Sequence, residues 1–170
     1  MALTFNPDEV YEMAEQIERN GAKFYRKAAA GATDLRVRNL LVGLAAMEDR
    51  HERVFKEMRS RLTEKQRQPT AYDPDNQAVA YLRALADGSV FDVNADPAER
   101  LTGKETPEQV YKTAIELEKN SIVFYLGLMD MIDEAAGKGR VDDIVKEEMR
   151  HVAMLSDELR DLRGRKPAGA

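Results

Sequence analysis

Glu48-Asp49-Arg50-His51 and Glu148-Met149-Arg150-His151 contain the only two histidines of the chain, one hundred positions apart. Thirty residues before each motif stands a further glutamate, Glu18 or Glu118, and seven residues beyond that a tyrosine, Tyr25 or Tyr125. The register extends outward: residues 7–62 align with 107–162 without a gap. Pro7/Pro107, Val10/Val110, Tyr11/Tyr111, Ala14/Ala114, Asn20/Asn120, Phe24/Phe124, Arg50/Arg150 and Leu62/Leu162 are identical pairs. Self-similarity at a fixed offset is the mark of an internal duplication, here of a helical hairpin.

The helical reading rests on periodicity and on caps. Asn6 precedes Pro7 and Glu9, and Thr106 precedes Pro107 and Gln109, so both hairpins open on an N-cap, a proline at the first helical position and a capping-box partner. Small and apolar residues follow at 10, 14, 17, 21, 24 and 28, one face of a helix closed by Gly31. A second helix is expected from about Thr33 to Leu62, its inner face Leu40, Leu44, Glu48, His51, Phe55, Met58 and Leu62. The third repeats the first, with core positions Val110, Ala114, Leu117, Phe124 and Leu128. After a turn marked by Gly137 and Gly139, the fourth runs from about Arg140 to Arg163 over Val141, Ile144, Glu148, His151, Leu155, Leu159 and Leu162. Residues 63–105 form a crossover with a short helix expected at 75–87, long enough for helix 3 to run parallel to helix 2. The tail 164–170 is expected to be disordered. The whole, 1–170, reads as a single all-α domain, a four-helix bundle of two repeated hairpins.

A glutamate and a histidine at i and i+3 share a helix face, with Cβ atoms roughly 5–6 Å apart. Two such pairs from facing helices, with one glutamate from each other helix, give six donors: Glu18, Glu48, His51, Glu118, Glu148 and His151. Carboxylate oxygen with imidazole nitrogen suits iron, manganese or zinc rather than calcium or Cu(I). Four carboxylates balance the charge of two divalent cations. Taken singly, an ExxH on a helix is most often a surface or capping feature. Here all six residues fall among positions that are otherwise apolar, where an uncompensated carboxylate costs several kcal/mol or more. Arg50 and Arg150 sit about 100° around the helix from the histidines and point aside. For Tyr25 and Tyr125 two readings stay open: core filling with a satisfied hydroxyl, or a hydrogen bond to a ligating carboxylate. Tyr11 and Tyr111 read as packing or a cavity lid, Asn20 and Asn120 as exposed polar residues rather than outer partners of the ligands, and Met47, Met58, Met129, Met131, Met149 and Met154 as gap-filling core or surface rather than ligands.

With Glu18, Glu48-x-x-His51, Glu118, Glu148-x-x-His151 and the tyrosines of "AKFY" and "IVFY", most of the chain resembles the ferritin-like superfamily, and within it the stand-alone rubrerythrin-like di-iron proteins. The linker piece "AYLRALADGSVFD" resembles their short crossover helix. The resemblance implies a ferritin-like bundle with two iron ions, Glu48 and Glu148 bridging them, and Glu18, Glu118, His51 and His151 as terminal or bridging ligands. It also implies a homodimer. Two departures bear on reactivity. The sequence has no cysteine, hence no four-cysteine rubredoxin iron site to deliver electrons. The additional glutamate that rubrerythrins carry three residues after the helix 3 ligand is Ser121 here, with Gly21 as its repeat mate.

Composition narrows the rest. Apolar residues make up 43% and charged residues 34% of 170, and the net charge is −5, so nucleic-acid binding is not expected. Zero cysteines exclude disulfides, zinc ribbons and iron–sulfur clusters. MALTFNPDEV has neither the charged n-region nor the apolar h-region of a signal peptide, and no apolar run approaches the roughly 18 residues of a membrane span, so a cytoplasmic location is the expectation. The expected activity is oxidoreduction: a di-iron centre reacting with hydrogen peroxide or dioxygen, as in a response to oxidative stress, and drawing on an external electron donor. Ferroxidase activity with iron storage or delivery, and a structural module stapled by metal, are the alternatives.

Overall fold

The computed structural model describes residues 6–68, 80, 81, 84 and 95–164. Four long helices dominate: α1 (Pro7–Gly31), α2 (Leu35–Ser60), α3 (Pro107–Met131) and α4 (Lys138–Gly164), with a 3₁₀ turn at Pro97–Arg100. Among the described residues there is no strand. Both capping boxes form. Asn6 Oδ1 accepts the Glu9 amide at 3.0 Å while Glu9 Oε2 accepts the Asn6 amide at 3.2 Å. Thr106 Oγ1 accepts the Gln109 amide at 3.3 Å and Gln109 Oε1 the Thr106 amide at 2.9 Å. The two hairpins therefore start from the same local device, each cap contributing about 1 kcal/mol.

Four boundaries differ from expectation. Helix α2 starts at Leu35 rather than Thr33, because the Asp34 carboxylate accepts the amides of Arg36 and Val37 and becomes the N-cap. It ends at Ser60, although Leu62 stays buried. Helix α4 starts at Lys138, which puts Gly139 inside its first turn and leaves the reversal to Gly137 alone. Gly137 has φ +110°, in the left-handed region open to glycine, and a Cβ there would lie 2.7 Å from Met58 Sδ. Gly164, expected in the tail, is still helical, and 165–170 lie outside the described residues. So does most of the helix expected at 75–87; its three described positions, Ala80, Tyr81 and Ala84, are helical.

Helix α1 packs along α2, α3 along α4, and α1 also meets α3. Two apolar clusters fill opposite ends of the bundle. One joins Val10 and Tyr11 of α1, Phe55 and Met58 of α2, Leu128 and Met131 of α3, and Val141 and Ile144 of α4. The other joins Phe24 and Ala28 of α1, Leu41 and Leu44 of α2, Val110 and Tyr111 of α3, and Leu155 of α4. The start of α1 thus shares an end with the finish of α2, the finish of α3 and the start of α4. Helix α3 consequently runs parallel to α2, and the crossover traverses the length of the bundle, about 37 Å for a helix of 25 residues. The core of α2 uses Leu41, fully buried, in place of the expected Leu40; Leu40, Leu117, Leu159 and Leu162 are half-buried flanks. No described helix is long and apolar enough to cross a membrane.

Candidate metal centre

Between the two apolar clusters lies a polar layer. Glu18 of α1, Glu48 and His51 of α2, Glu118 of α3, and Glu148 and His151 of α4 meet there, none more than 3% exposed. The ExxH spacing puts each histidine one turn beyond its glutamate on the inner face, and antiparallel pairing brings Glu18 and Glu118 to the same level. The donor atoms fall into two sets, each within 4.8 Å: Glu18, Glu48, His51 and Glu148, and Glu48, Glu118, Glu148 and His151. Glu48 and Glu148 belong to both. Glu148 spans the imidazoles, Oε1 at 2.8 Å from His51 Nδ1 and Oε2 at 2.8 Å from His151 Nδ1. The rings stack with centroids 5.9 Å apart.

Close approach is not matched by hydrogen bonding. Glu18 Oε2, Glu48 Oε1, both Glu148 oxygens and the Nδ1 atoms of His51 and His151 are buried without a hydrogen-bond partner, their contacts being either too long, as for Glu48 at 3.6 Å from His151 Nδ1, or out of line for N–H···O geometry. Each such group costs about 1–3 kcal/mol, more when charged. Six orphaned donor atoms converging on one layer fit a pair of cations, since a cation can accept lone pairs from all of them at once.

Protonation carries the same message. Burial, followed by the charges of Glu118 and Glu18, pushes Glu148 up to about 8. Burial, with Glu118, Glu148 and Glu18 beside it, holds Glu48 well above the usual carboxylate range. Burial works to lower both histidines, but their carboxylate neighbours win, taking His51 to about 11 and His151 to about 9. Glu118 goes the other way: burial raises it, and the His151 and Tyr25 contacts more than reverse that. In the polypeptide itself, protons offset the crowded negative charge; divalent cations would replace them and release protons.

The tyrosines act across the hairpins. The Tyr25 hydroxyl donates to Glu118, and the Tyr125 hydroxyl to Glu18. Burial, then the adjacent carboxylates, raises both phenols well above their ordinary value, so they remain donors. Tyr11, packed at one end, donates to the Ala136 carbonyl at 2.7 Å. Asn20, expected on the surface, is buried: it accepts from Gln16 and donates to the Ala95 carbonyl at 3.1 Å. With Lys27 bonding the Ala98 carbonyl and Lys23 pairing with Asp96, it straps residues 95–98 onto α1.

Beneath that strap a cavity of about 80 Å³ reaches the polar layer, lined by Asn20, Gly21, Glu48, Arg100, Glu118 and Ser121. That is room for a few water-sized molecules. Small residues keep it open. A Cβ on Gly21 would lie 2.6 Å from Glu48 Oε2, and Ser121 turns its hydroxyl back onto the Leu117 carbonyl at 3.1 Å. Sequence reasoning did not find this strap, nor two contacts on the outer imidazole nitrogens: Glu147 at 3.0 Å from His51 Nε2, and Met47 at 3.3 Å from His151 Nε2. The available signal was that 47 and 147 are repeat mates directly preceding the motif glutamates, yet differ in chemistry.

A Thermotoga maritima structure, provisionally described as a ferritin-like diiron-carboxylate protein, superposes with a TM-score of 0.75 at 22% identity, covering 94% of this chain and 98% of that one. At that identity the likeness shows the fold, an all-α ferritin-like four-helix bundle. Among curated proteins, none matches the sequence. The rubrerythrin family model matches residues 9–159, a span that takes in both hairpins and all six residues of the polar layer, and the chain accordingly belongs to the rubrerythrin family.

Proposed function

We propose that this protein is a di-iron oxidoreductase that reduces hydrogen peroxide or dioxygen with electrons from an external donor. The observation that carries the reading is the set of six buried, unpartnered donor atoms from Glu18, Glu48, His51, Glu148 and His151, with Glu118 completing the second of two ligand sets that share Glu48 and Glu148. In this reading Glu18 and His51 would hold one ion and Glu118 and His151 the other, with Glu48 and Glu148 available to both. A pair of ferrous ions so held would supply two electrons, one from each, together with Lewis acidity toward the oxidant.

The residues around that pair have definable tasks. Tyr25 and Tyr125 fix the orientation of Glu118 and Glu18 through hydroxyls that stay protonated. The two apolar layers keep bulk water away on either side, which strengthens the electrostatic grip of the carboxylates. The cavity at Gly21 and Ser121 gives a molecule the size of peroxide or dioxygen a way to Glu48 and Glu118. Two protons and two electrons convert one peroxide into two waters. With no cysteine in the sequence, the electrons have no iron–sulfur or rubredoxin relay within these residues.

The test is an anaerobic iron(II) titration of metal-free protein, followed by optical absorbance on adding peroxide. Two ions per chain and a new ferric charge-transfer band that consumes one peroxide support the reading. Less than one ion per chain, or no spectral response, sinks it. Iron uptake far beyond two ions per chain, or a large assembly on size exclusion, would favour storage or delivery instead.

A further inference from the structure

The two ligand sets contain the same residues, yet their histidines are held differently. Each imidazole turns Nδ1 toward the carboxylates and Nε2 away from them. His51 Nε2 lies 3.0 Å from Glu147 Oε2, which also accepts from Arg50 Nη2 at 3.1 Å. His151 Nε2 meets only the thioether of Met47 among these contacts, at 3.3 Å. Residues 47 and 147 are repeat mates, so the twofold relation breaks at the position that touches the outer nitrogen.

An ionised carboxylate can only accept, so beside Glu147 the Nε2 of His51 carries a hydrogen, and a cation that displaces the Nδ1 proton would meet the lone pair on that inner nitrogen. Such a partner fixes tautomer and ring orientation and makes the inner nitrogen a stronger donor. A thioether is a weak acceptor and does little of either. The other neighbours do not favour one side. Glu48 and Glu148 are common to both sets, and Tyr125 and Tyr25 bond Glu18 and Glu118 alike.

We propose that Glu147 is a positioning residue that makes the two metal positions unequal, so that the position of Glu18 and His51 fills first and more tightly than that of Glu118 and His151. The proposal rests on the dinuclear reading above and assigns an order within it. Tight and loose positions on one centre let a single ion be retained while the other exchanges.

The experiment is a calorimetric and optical titration of metal-free protein with Co²⁺, which reports stoichiometry, affinity and ligand field without any turnover. Wild type is expected to take up one ion and then a second, with dissociation constants about 10–100-fold apart. Repulsion between cations could also produce two steps, so the variants decide. Glu147→Met should weaken the first step by about 10–100-fold and bring the two together, and Glu147→Gln should fall between. Met47→Glu should tighten the second step. Two steps left unchanged by Glu147→Met and Met47→Glu, or equal uptake in wild type, would overturn the inference while leaving the dinuclear centre standing. Absence of any Co²⁺ uptake would remove that centre, and the order with it.

Discussion

The hairpins 7–60 and 107–164 start from equivalent caps, place Glu, Tyr, Glu and His at equivalent positions and bury them alike. They part company around those residues: Gly21 has Ser121 as its repeat mate, and Met47 has Glu147. Residues whose atoms enter the polar layer, and the tyrosines that bond them, are the same in both halves, while two other positions beside the layer, 21/121 and 47/147, have diverged. The comparison teaches that the charge and geometry of the layer are a property of the pair of hairpins. Access to it and the grip on each imidazole belong to one hairpin at a time.

Removing a shared carboxylate should break the symmetry most severely. Glu148 contacts both imidazoles and belongs to both donor sets, so Glu148→Ala should lower metal affinity more than about 100-fold at both positions, beyond the 10–100-fold typical of losing a ligand's supporting partner. Elemental analysis after dialysis checks it; retention of two ions would show that Glu148 is no ligand. Tyr25→Phe and Tyr125→Phe should act as a matched pair, each leaving a buried carboxylate oxygen without its donor and costing about 1–3 kcal/mol in thermal or urea unfolding. Unequal losses would mean that the cross-hairpin bonds are not equivalent.

Gly21→Ala tests the difference between the halves. Its methyl group would displace Glu48, at about 1–3 kcal/mol for overpacking, offset by the roughly 1 kcal/mol that alanine gains over glycine inside a helix. The net loss of stability should therefore be about 0–2 kcal/mol, with metal affinity falling as well. Ser121→Ala should leave both within about 0.5 kcal/mol, because it loses only a bond to its own helix.

The layer also has a signature in pH. His151 rises from its ordinary 6.5 to about 9, and Glu148 from 4.5 to about 8. Between those values the folded chain holds protons that the unfolded chain has lost, so stability falls as pH rises. The His151 contribution is complete below about pH 6.5 and gone above about 9; that of Glu148 is complete below about 4.5 and gone above about 8. Chelated protein should accordingly show a falling melting temperature from about pH 6.5 to 9, and metal affinity should rise over the same range. A melting temperature that climbs there would mean that the carboxylates, and not the protons, are stabilised by folding. Asn6→Ala and Thr106→Ala should each cost about 1 kcal/mol, and equally, if the two capping boxes are the same device.

Much of this was legible in the residues. The caps at Asn6 and Thr106 are local, decided by side chains three positions apart. The six polar-layer residues stood out because they interrupt apolar faces at helical spacing. The start of α2 at Leu35 behind the Asp34 cap instead of at Thr33, and Gly137 alone making the α3–α4 turn, were less legible, since neighbouring residues offered competing signals. Asn20 was misjudged because its burial depends on the 95–98 strap, which is distant in sequence.

The sequence by itself determined four amphipathic helices, their duplication, and a set of four carboxylates and two imidazoles on their inner faces. Those follow from periodicity and spacing, which act over a few residues. Only the tertiary structure decided that Tyr25 serves Glu118 and Tyr125 serves Glu18, that Gly21 leaves space against Glu48, and that His51 leans on a carboxylate while His151 leans on a thioether. Each of those contacts joins residues on different helices, and the packing of one helix face against another, rather than the period along either, sets which side chains meet.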